Sequence, residues 1–484
     1  MIPDVRFTSE GRLDADLRIR LVAQPLDQST LTGALRLEAQ RVRFDASAGA
    51  TAFCCDSGGG WVALVGVGDP SAPAALRRGA WHAIQLARTL RASSVSIEAT
   101  GTVLTTEAAA SCLAEGLLLS VWRFERYKTP PGDDERATRA PELERVVVHG
   151  SPDRAAAFER GLHLGQAVCL ARDVANEHPG VCTPEWLADQ ARALAERHGM
   201  ACTVLDAAQL EEQGHRLHLA VGRGSAAPPT LAHLTWSGGD APRRRIAIVG
   251  KGVTFDSGGY SLKPAAGQID MHLDMGGAAA VLGAAEAVGR LRPSGIEIHF
   301  IVPAAENMVS GDAYRVNEII RARNGVTVEI HNTDAEGRLL LADALAYAAE
   351  LGVDTVVDLA TLTGSCVVGL GNETAGLFSP DDALAAELLT SGRRTDELIW
   401  QLPLVERIDA QLKSPVADVR NVGSRWGGAI SAALFLKRFT GSTRWAHIDI
   451  AGPAMAESPW EYICRGGTGY GVLLLADWLT SQSG

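Results

Sequence analysis

No apolar run in this 484-residue chain reaches the length needed to cross a bilayer, which argues against a membrane-spanning protein. The opening residues, Met-Ile-Pro-Asp-Val-Arg-Phe, lack the basic-then-apolar order of a secretory signal, so a cytoplasmic protein is expected. The eight cysteines (Cys54, Cys55, Cys112, Cys169, Cys182, Cys202, Cys366 and Cys464) contain no C-x-x-C pair. They are expected to be free, mostly buried thiols. The twelve histidines contain no H-E-x-x-H arrangement, which excludes that class of metallopeptidase. The stretch from Ala220 to Ser225 has two glycines at Rossmann spacing but no third, so it carries no dinucleotide fingerprint. Positive charge is in deficit too. A net charge of −12 disfavours nonspecific contact with nucleic-acid phosphates.

What remains is ample for two cores, since 46% of residues are hydrophobic. The first 152 residues alternate strand-like runs (Leu17–Val22, Trp61–Val67, Ser94–Glu98, Val146–Val148) with helix-like ones (Ala74–Leu90, Glu107–Leu119). This predicts a smaller N-terminal α/β domain. Gly58-Gly59-Gly60 reads as a hairpin turn, and residues 128–142 as a polar, Pro-rich surface loop. Residues 153–176 have a helical pattern suited to a connecting helix. Residues 177–484 would form the larger, catalytic domain. Thr183 and Pro184 are placed to start its first helix, which stops at Gly199. Strand-like runs at 246–249, 296–302, 326–331, 353–359 and 444–450 then alternate with helical runs at 277–291, 339–351 and 427–439. That order predicts a mixed, mostly parallel sheet flanked by helices.

The richest chemistry lies in His331-Asn-Thr-Asp-Ala-Glu-Gly-Arg-Leu339. If this segment runs extended, Asp334, Glu336 and Arg338 project to one side, next to an apolar run. Buried charges need partners, and one arginine cannot balance the carboxylates upstream. Those are Asp256, in a glycine-rich segment that opens with Lys251, and Asp274, in Met271-His-Leu-Asp-Met-Gly-Gly277. Taken alone, such carboxylates are more often capping or surface groups. Together, Asp256, Asp274, Asp334 and Glu336 carry four negative charges, which two divalent ions would cancel. Oxygen-rich sites of this kind suit Mg²⁺, Mn²⁺ or Zn²⁺.

These segments resemble the leucine aminopeptidase, or cytosol aminopeptidase, family. The resemblance rests on the octapeptide Asn332–Leu339 and on Val249–Gly259. Further matching blocks are Glu306–Gly311, Asp358–Gly364, Trp445–Gly452 and Gly467–Val472. It covers roughly residues 150–480. It implies an α/β metallo-exopeptidase that removes the first residue, Leu-like by preference, from short peptides with a free N-terminus. It implies two divalent ions per chain, Zn²⁺ or Mn²⁺, held by Lys251, Asp256, Asp274, Asp334 and Glu336, which together activate a water. Lys251 would act as a neutral amine, far below its ordinary pKa of about 10.4. Lys263 would polarise the scissile carbonyl and Arg338 would hold a bicarbonate as general base. Met271, Thr361, Gly364 and Ala451, with Met455, would form the side-chain pocket, and the Leu362 carbonyl would meet the substrate amine. A homo-hexamer is implied as well.

Three departures from the family pattern bear on substrate range. They are His272 in place of a lysine, Val316-Asn317 in place of Pro-Gly, and Trp426 within a glycine-rich run. A dedicated dipeptidase, for instance one cleaving Cys-Gly, is the near alternative. A DNA-binding role on the same scaffold would need a basic stripe from Arg12, Arg18, Arg20, Arg36, Arg41 and Arg43, but these are interleaved with acids.

Overall fold

The computed structural model describes residues 3–9, 15–27, 29, 31, 33–99, 101–130, 132, 141–239 and 241–483. Arg12 and most of the expected loop at 128–142 lie outside the described residues. The chain divides into two compact units, Met1–Cys169 with Pro459–Cys464, and Leu170–Ser458 with Arg465–Gly484.

The first unit is built on six strands: β1 (Asp4–Thr8), β2 (Leu17–Ala23), β3 (Thr51–Cys55), β4 (Trp61–Gly68), β5 (Ser94–Glu98) and β6 (Arg145–His149). Their order is β1-β6-β5-β2-β4-β3, parallel throughout except for the β3–β4 hairpin. Alternate burial along β2 reflects its period-2 pattern. The expected glycine turn joins β3 to β4. There Asp56 Oδ1 accepts the Gly58 and Gly60 N–H groups, each at 2.9 Å. Helices α1 (Pro73–Thr89) and α2 (Glu107–Val121) are tied by a buried Arg77–Glu115 ion pair at 2.6 Å. Arg18, Arg20 and Arg41 each face a carboxylate, from Asp56, Glu98 and Glu38 respectively. Helix α3 (Ala155–Ala175) follows, as its periodicity predicts.

In the second unit α4 (Pro184–His198) starts as its sequence indicates. The Thr183 side chain accepts the Trp186 N–H, Pro184 opens the helix, and Gly199 closes it at φ 69°. The main sheet contains β7 (Ala201–Leu205), β8 (Thr230–Ser237), β9 (Arg244–Gly250), β10 (Gly252–Asp256), β11 (Ile296–Asn307), β14 (Thr355–Ala360), β15 (Ala375–Phe378), β16 (Ile399–Gln401) and β18 (Arg444–Asp449). The order is β16-β15-β18-β14-β9-β11-β8-β7, with β10 alongside β11. The centre β18-β14-β9-β11 is parallel, and β8, β7 and β15 add antiparallel pairings. A small sheet of β12 (Ile319–Arg321), β13 (Thr327–Glu329) and β17 (Val419–Arg420) supports the loop after β13. Central strands buried on both faces read as continuous apolar runs, and β14 is buried along its whole length. Helices α5 (Gly276–Leu291), α6 (Gly337–Glu350), α7 (Gly364–Leu370), α8 (Gly428–Lys437) and α9 (Val472–Ser481) are among the helices of this unit.

One local expectation fails. Residues 331–338 are not extended. Glu336 has helical dihedrals (φ −75°, ψ −38°) and precedes α6, and Arg338 sits in that helix's first turn. The charges therefore fan out from a turn and a helix start instead of alternating along a strand.

All eight cysteines are free, and Cys112, Cys169, Cys182 and Cys366 are buried. Among the described residues no helix is long and apolar enough to cross a membrane.

Candidate functional site

The expected site residues arrive from the carboxyl edge of the parallel sheet. Lys251 follows β9, Asp256 ends β10, Thr361 follows β14, and Ala451 lies just past β18. Asp274 sits in a short 3₁₀ turn, Met271–Met275, that leads into α5. Asp334 and Glu336 come from the turn before α6. A cavity of about 510 Å³ opens here. Its lining includes all five proposed ligands, Lys263, Arg338, and each of Met271, Thr361, Leu362, Gly364, Ala451 and Met455. Open α/β sheets bind ligands at this edge.

Within the cavity floor, oxygens of Asp256, Asp274 and Glu336 all lie within 4.8 Å of one another. Lys251 is nearly sealed from solvent. Its Nζ donates to Asp274 Oδ1 (2.7 Å) and to the Thr361 carbonyl (2.8 Å), and lies 3.0 Å from Glu336 Oε1. Lys263 Nζ is 2.9 Å from Asp256 Oδ2 and 2.6 Å from Asp334 Oδ1. The second contact is close in distance but lacks hydrogen-bond geometry, so Asp334 Oδ1 stays without a hydrogen-bond partner. Asp334 is thus joined to the group through Lys263 instead of standing in the three-carboxylate cluster.

The balance of charge says what this group lacks. Burial pushes the Asp274 carboxyl well up, and Glu336 and Asp256 add to the rise against Lys251. Asp256 is pushed up by burial and then by Glu336, and Asp334 by burial and by Asp256. Two lysines do not neutralise four carboxylates, and Asp274 Oδ2 is buried without a hydrogen-bond partner. An oxygen-rich, surplus-negative, desolvated cluster fits divalent cations. For Lys251 to ligate as a neutral amine, a divalent ion would have to displace its proton, because the carboxylates around it favour the ammonium form. Burial pulls it down, but Asp274, Glu336 and Asp256 outweigh that and hold it above the usual lysine value.

Arg338 makes no ion pair with Asp334 or Glu336. Its Nη1 donates to the Asn421 carbonyl (2.8 Å), and its buried Nε lacks a hydrogen-bond partner. Burial brings this guanidinium down to about 10, against the pull of Glu336 and Asp449.

Several residues that shape the site escaped the sequence reading. Asn307 Nδ2 donates to Asp256 Oδ1 (2.8 Å) and to the Thr333 carbonyl (3.0 Å), which fixes the carboxylate's rotamer. Tyr314 Oη donates to the same Thr333 carbonyl at 2.7 Å. Asn421 Oδ1 accepts the His331 and Asn332 N–H groups, and so positions the octapeptide. Asp449 accepts the Leu362 N–H and the Thr363 hydroxyl, which holds the loop after β14. Thr361, expected only as pocket wall, also donates its hydroxyl to Asp274 Oδ1 at 2.8 Å.

Gly337 is required by close approach. A Cβ there would lie 2.4 Å from Lys251 Cε and 2.7 Å from Nζ. Gly337→Ala is expected to displace Lys251 and lower stability by about 1–3 kcal/mol, the scale of overpacking a tight core. Denaturant unfolding checks this, and an unchanged midpoint would show that Lys251 is free to move.

The departures are accounted for unevenly. Asn317 takes φ 68°, a left-handed position that asparagine tolerates, so the turn survives the loss of glycine. His272 is half-buried in the 3₁₀ turn, outside the carboxylate cluster, and burial lowers its pKa against the pull of Asp270. Trp426 is 70% exposed with Arg425 over its ring and is absent from the cavity wall, so it does not narrow the cavity itself.

Comparison with known proteins identifies the family. Residues 169–476 match the catalytic domain, and residues 16–131 the N-terminal domain, of the cytosol aminopeptidase family. The chain belongs to that family. A probable cytosol aminopeptidase of Gloeobacter violaceus is 47% identical over 384 residues, 78% of this chain and 76% of the relative. One from Acaryochloris marina is 44% identical over 421 residues, 86% and 85% of the respective chains. Among solved structures, the bottromycin maturation enzyme BotP in complex with Mn is similar at a TM-score of 0.87 and 37% identity. That match covers 97% of this chain and 100% of BotP. As a member of the cytosol aminopeptidase family the chain is a metal-dependent aminopeptidase.

Proposed function

We propose that this enzyme hydrolyses the first peptide bond of short peptides with a free N-terminus, preferring a Leu-like first residue. The observation that carries the reading is the convergence of Asp256, Asp274 and Glu336 on one buried point of the cavity, in excess of the lysines that face them. Lys251, Asp256, Asp274, Asp334 and Glu336 would hold two divalent ions, Zn²⁺ or Mn²⁺. Such ions, when bound, acidify water and polarise a carbonyl.

The chain's own residues divide the remaining work. Lys263 sits between Asp256 and Asp334 with its ammonium at the cavity, suited to offset negative charge developing on the substrate oxygen. Its pKa supports a permanent charge. Burial lowers it, but Asp256 and Asp334 hold it above the usual lysine range. Arg338 offers a buried guanidinium with a free Nε, suited to fix a bicarbonate as general base. Met271, Thr361, Gly364, Ala451 and Met455 give a wall of small and flexible groups for the first side chain. Leu362 presents its backbone to the substrate amine.

The enzyme works in the cytoplasm, in keeping with relatives named cytosol aminopeptidases. It assembles as a homo-hexamer, which exposed Trp400 and Trp426 support as surfaces that a monomer leaves wet. Leucine p-nitroanilide turnover after metal stripping and re-addition tests the activity. Restoration by Mn²⁺ or Zn²⁺ is expected, and undiminished turnover by the stripped protein would overturn the reading. A dipeptide panel that includes Cys-Gly separates a general enzyme from a dedicated one. Light scattering on the same sample checks the hexamer, and full activity at a mass near the 51.1 kDa monomer would rule it out.

A further inference from the structure

We propose, on the reading of Asp256 and Asp334 as metal ligands, that Asn307 is a positioning residue of the metal site. Its amide fixes Asp256 against the backbone that carries Asp334, and so sets how tightly the site holds its ions. Asn307 ends β11 and is fully buried. β10 runs beside β11 in parallel, with Val253 opposite Ala305 and Asp256 opposite Asn307. Three steps along β10 are thus matched by two along β11. Bulges of this kind re-aim a side chain and recur beside active sites. Here the extra residue brings the Asp256 carboxylate to the Asn307 amide. Nδ2 donates to Asp256 Oδ1 at 2.8 Å and to the Thr333 carbonyl, one residue before Asp334, at 3.0 Å. The Thr333 carbonyl can only accept, so the amide nitrogen must face this side. One planar group therefore ties a carboxylate on β10 to the backbone of the octapeptide.

The amide does this at a loss to itself. Its Oδ1 is buried without a hydrogen-bond partner. A buried acceptor left unpaired opposes folding, so a residue kept for the fold alone would pair both ends. Nor does the fold depend on the two donated bonds. Asp256 Oδ1 also accepts the Gly258 N–H at 2.8 Å, and the Thr333 carbonyl also accepts Tyr314 Oη at 2.7 Å. What Asn307 adds is direction. With Oδ1 held by two donors, Asp256 turns Oδ2 toward Lys263, at 2.9 Å from its Nζ. Asp274 shows the same division. Its Oδ1 accepts from Lys251 Nζ and the Thr361 hydroxyl, and its Oδ2 has no hydrogen-bond partner. Each carboxylate thus has one oxygen held by the protein and one left to a cation. Groups that orient a ligating carboxylate in this way govern metal affinity.

The experiment titrates Mn²⁺ and, separately, Zn²⁺ into the metal-stripped full-length enzyme and its Asn307→Leu variant by calorimetry, beside circular dichroism of both without metal. Leucine keeps the branched shape but removes the two donors and the unpaired oxygen. Expected are a metal-free variant folded like the parent, and a dissociation constant about 10–100-fold higher for each ion the wild type takes up. The metal concentration for half-maximal leucine p-nitroanilide turnover should move by the same factor, with kcat at saturating metal close to that of the parent. Asn307→Ala removes the same donors without demanding space, and should give the same shift if leucine is not accommodated. Unchanged metal affinity in both variants would overturn the proposal. So would a lower kcat at saturating metal with affinity unchanged, which would place Asn307 in the chemistry itself. Loss of fold in both metal-free variants would overturn it too, by making Asn307 a residue of the sheet and not of the site. A wild type that takes up neither ion would instead remove the ligand set, and that shows before any variant is compared.

Discussion

Replacing Glu336 with alanine is expected to strip the protein of metal and to abolish nearly all turnover while leaving the fold intact. The fold should survive because α6 does not lean on this side chain. Glu336 makes no side-chain capping bond, and the helix start is closed by its backbone carbonyl, which accepts from Leu339 and Leu340. The chemistry should not survive, because Glu336 is one of three buried carboxylates that meet within 4.8 Å. Losing an outer-shell partner of a metal costs about 10–100-fold, and losing a residue that would ligate the metal directly should cost more. Metal analysis of the purified variant, beside its circular dichroism, checks this. A variant that keeps both its metal and its activity would sink the proposed ligand set.

Lys263→Ala is expected to separate chemistry from metal binding. Lys263 reaches Asp256 and Asp334 from the cavity side, whereas Lys251 lies beneath the same group, sealed against Thr361 and Glu336. Removing the outer ammonium should lower kcat by roughly 10²-fold, the scale of losing one oxyanion stabiliser, with metal content near that of the parent. Without metal the variant should be less stable, since Asp256 and Asp334 then face each other without the cation between them. If Lys263→Ala empties the site instead, the division of roles drawn here is wrong.

How much of this was legible in the sequence depended on the range of the interactions. Parallel strands buried on both faces, such as β9 and β14, announced themselves as apolar runs. The polar-spotted β8, with Thr230, His233 and Thr235, did not. β10 was missed for a different reason. Only Lys251 stands between it and β9, and what separates them is the loss of one neighbour, since both strands run beside β11 but only β9 also pairs with β14. At the site, the carboxylates and lysines stood out because their spacing follows family blocks. Asn307 and Asp449 lay inside such blocks yet were passed over, since an amide or carboxylate that holds backbone carries no local periodicity. Asn421 gave no signal at all. Its partners His331 and Asn332 are about ninety residues away, and only the closure of β13 on β17 brings them together. The extended reading of residues 331–338 failed because alternation of charge looks the same in a strand and in a turn that enters a helix.

The attachment of the site to the central strands has a consequence for time as well as for place. Lys251 donates its backbone N–H to Leu359 and accepts from Ala278, so a residue of the cavity floor is also a rung of the sheet and a tether of α5. No hinge or lid separates that rung from the core. Its amide exchanges with solvent only when β9 and β14 part, on the timescale of the whole unit's opening. Heat would therefore end activity and structure in one event, with inactivation rates that follow the unfolding rate of the sheet and not the faster motions of a surface loop.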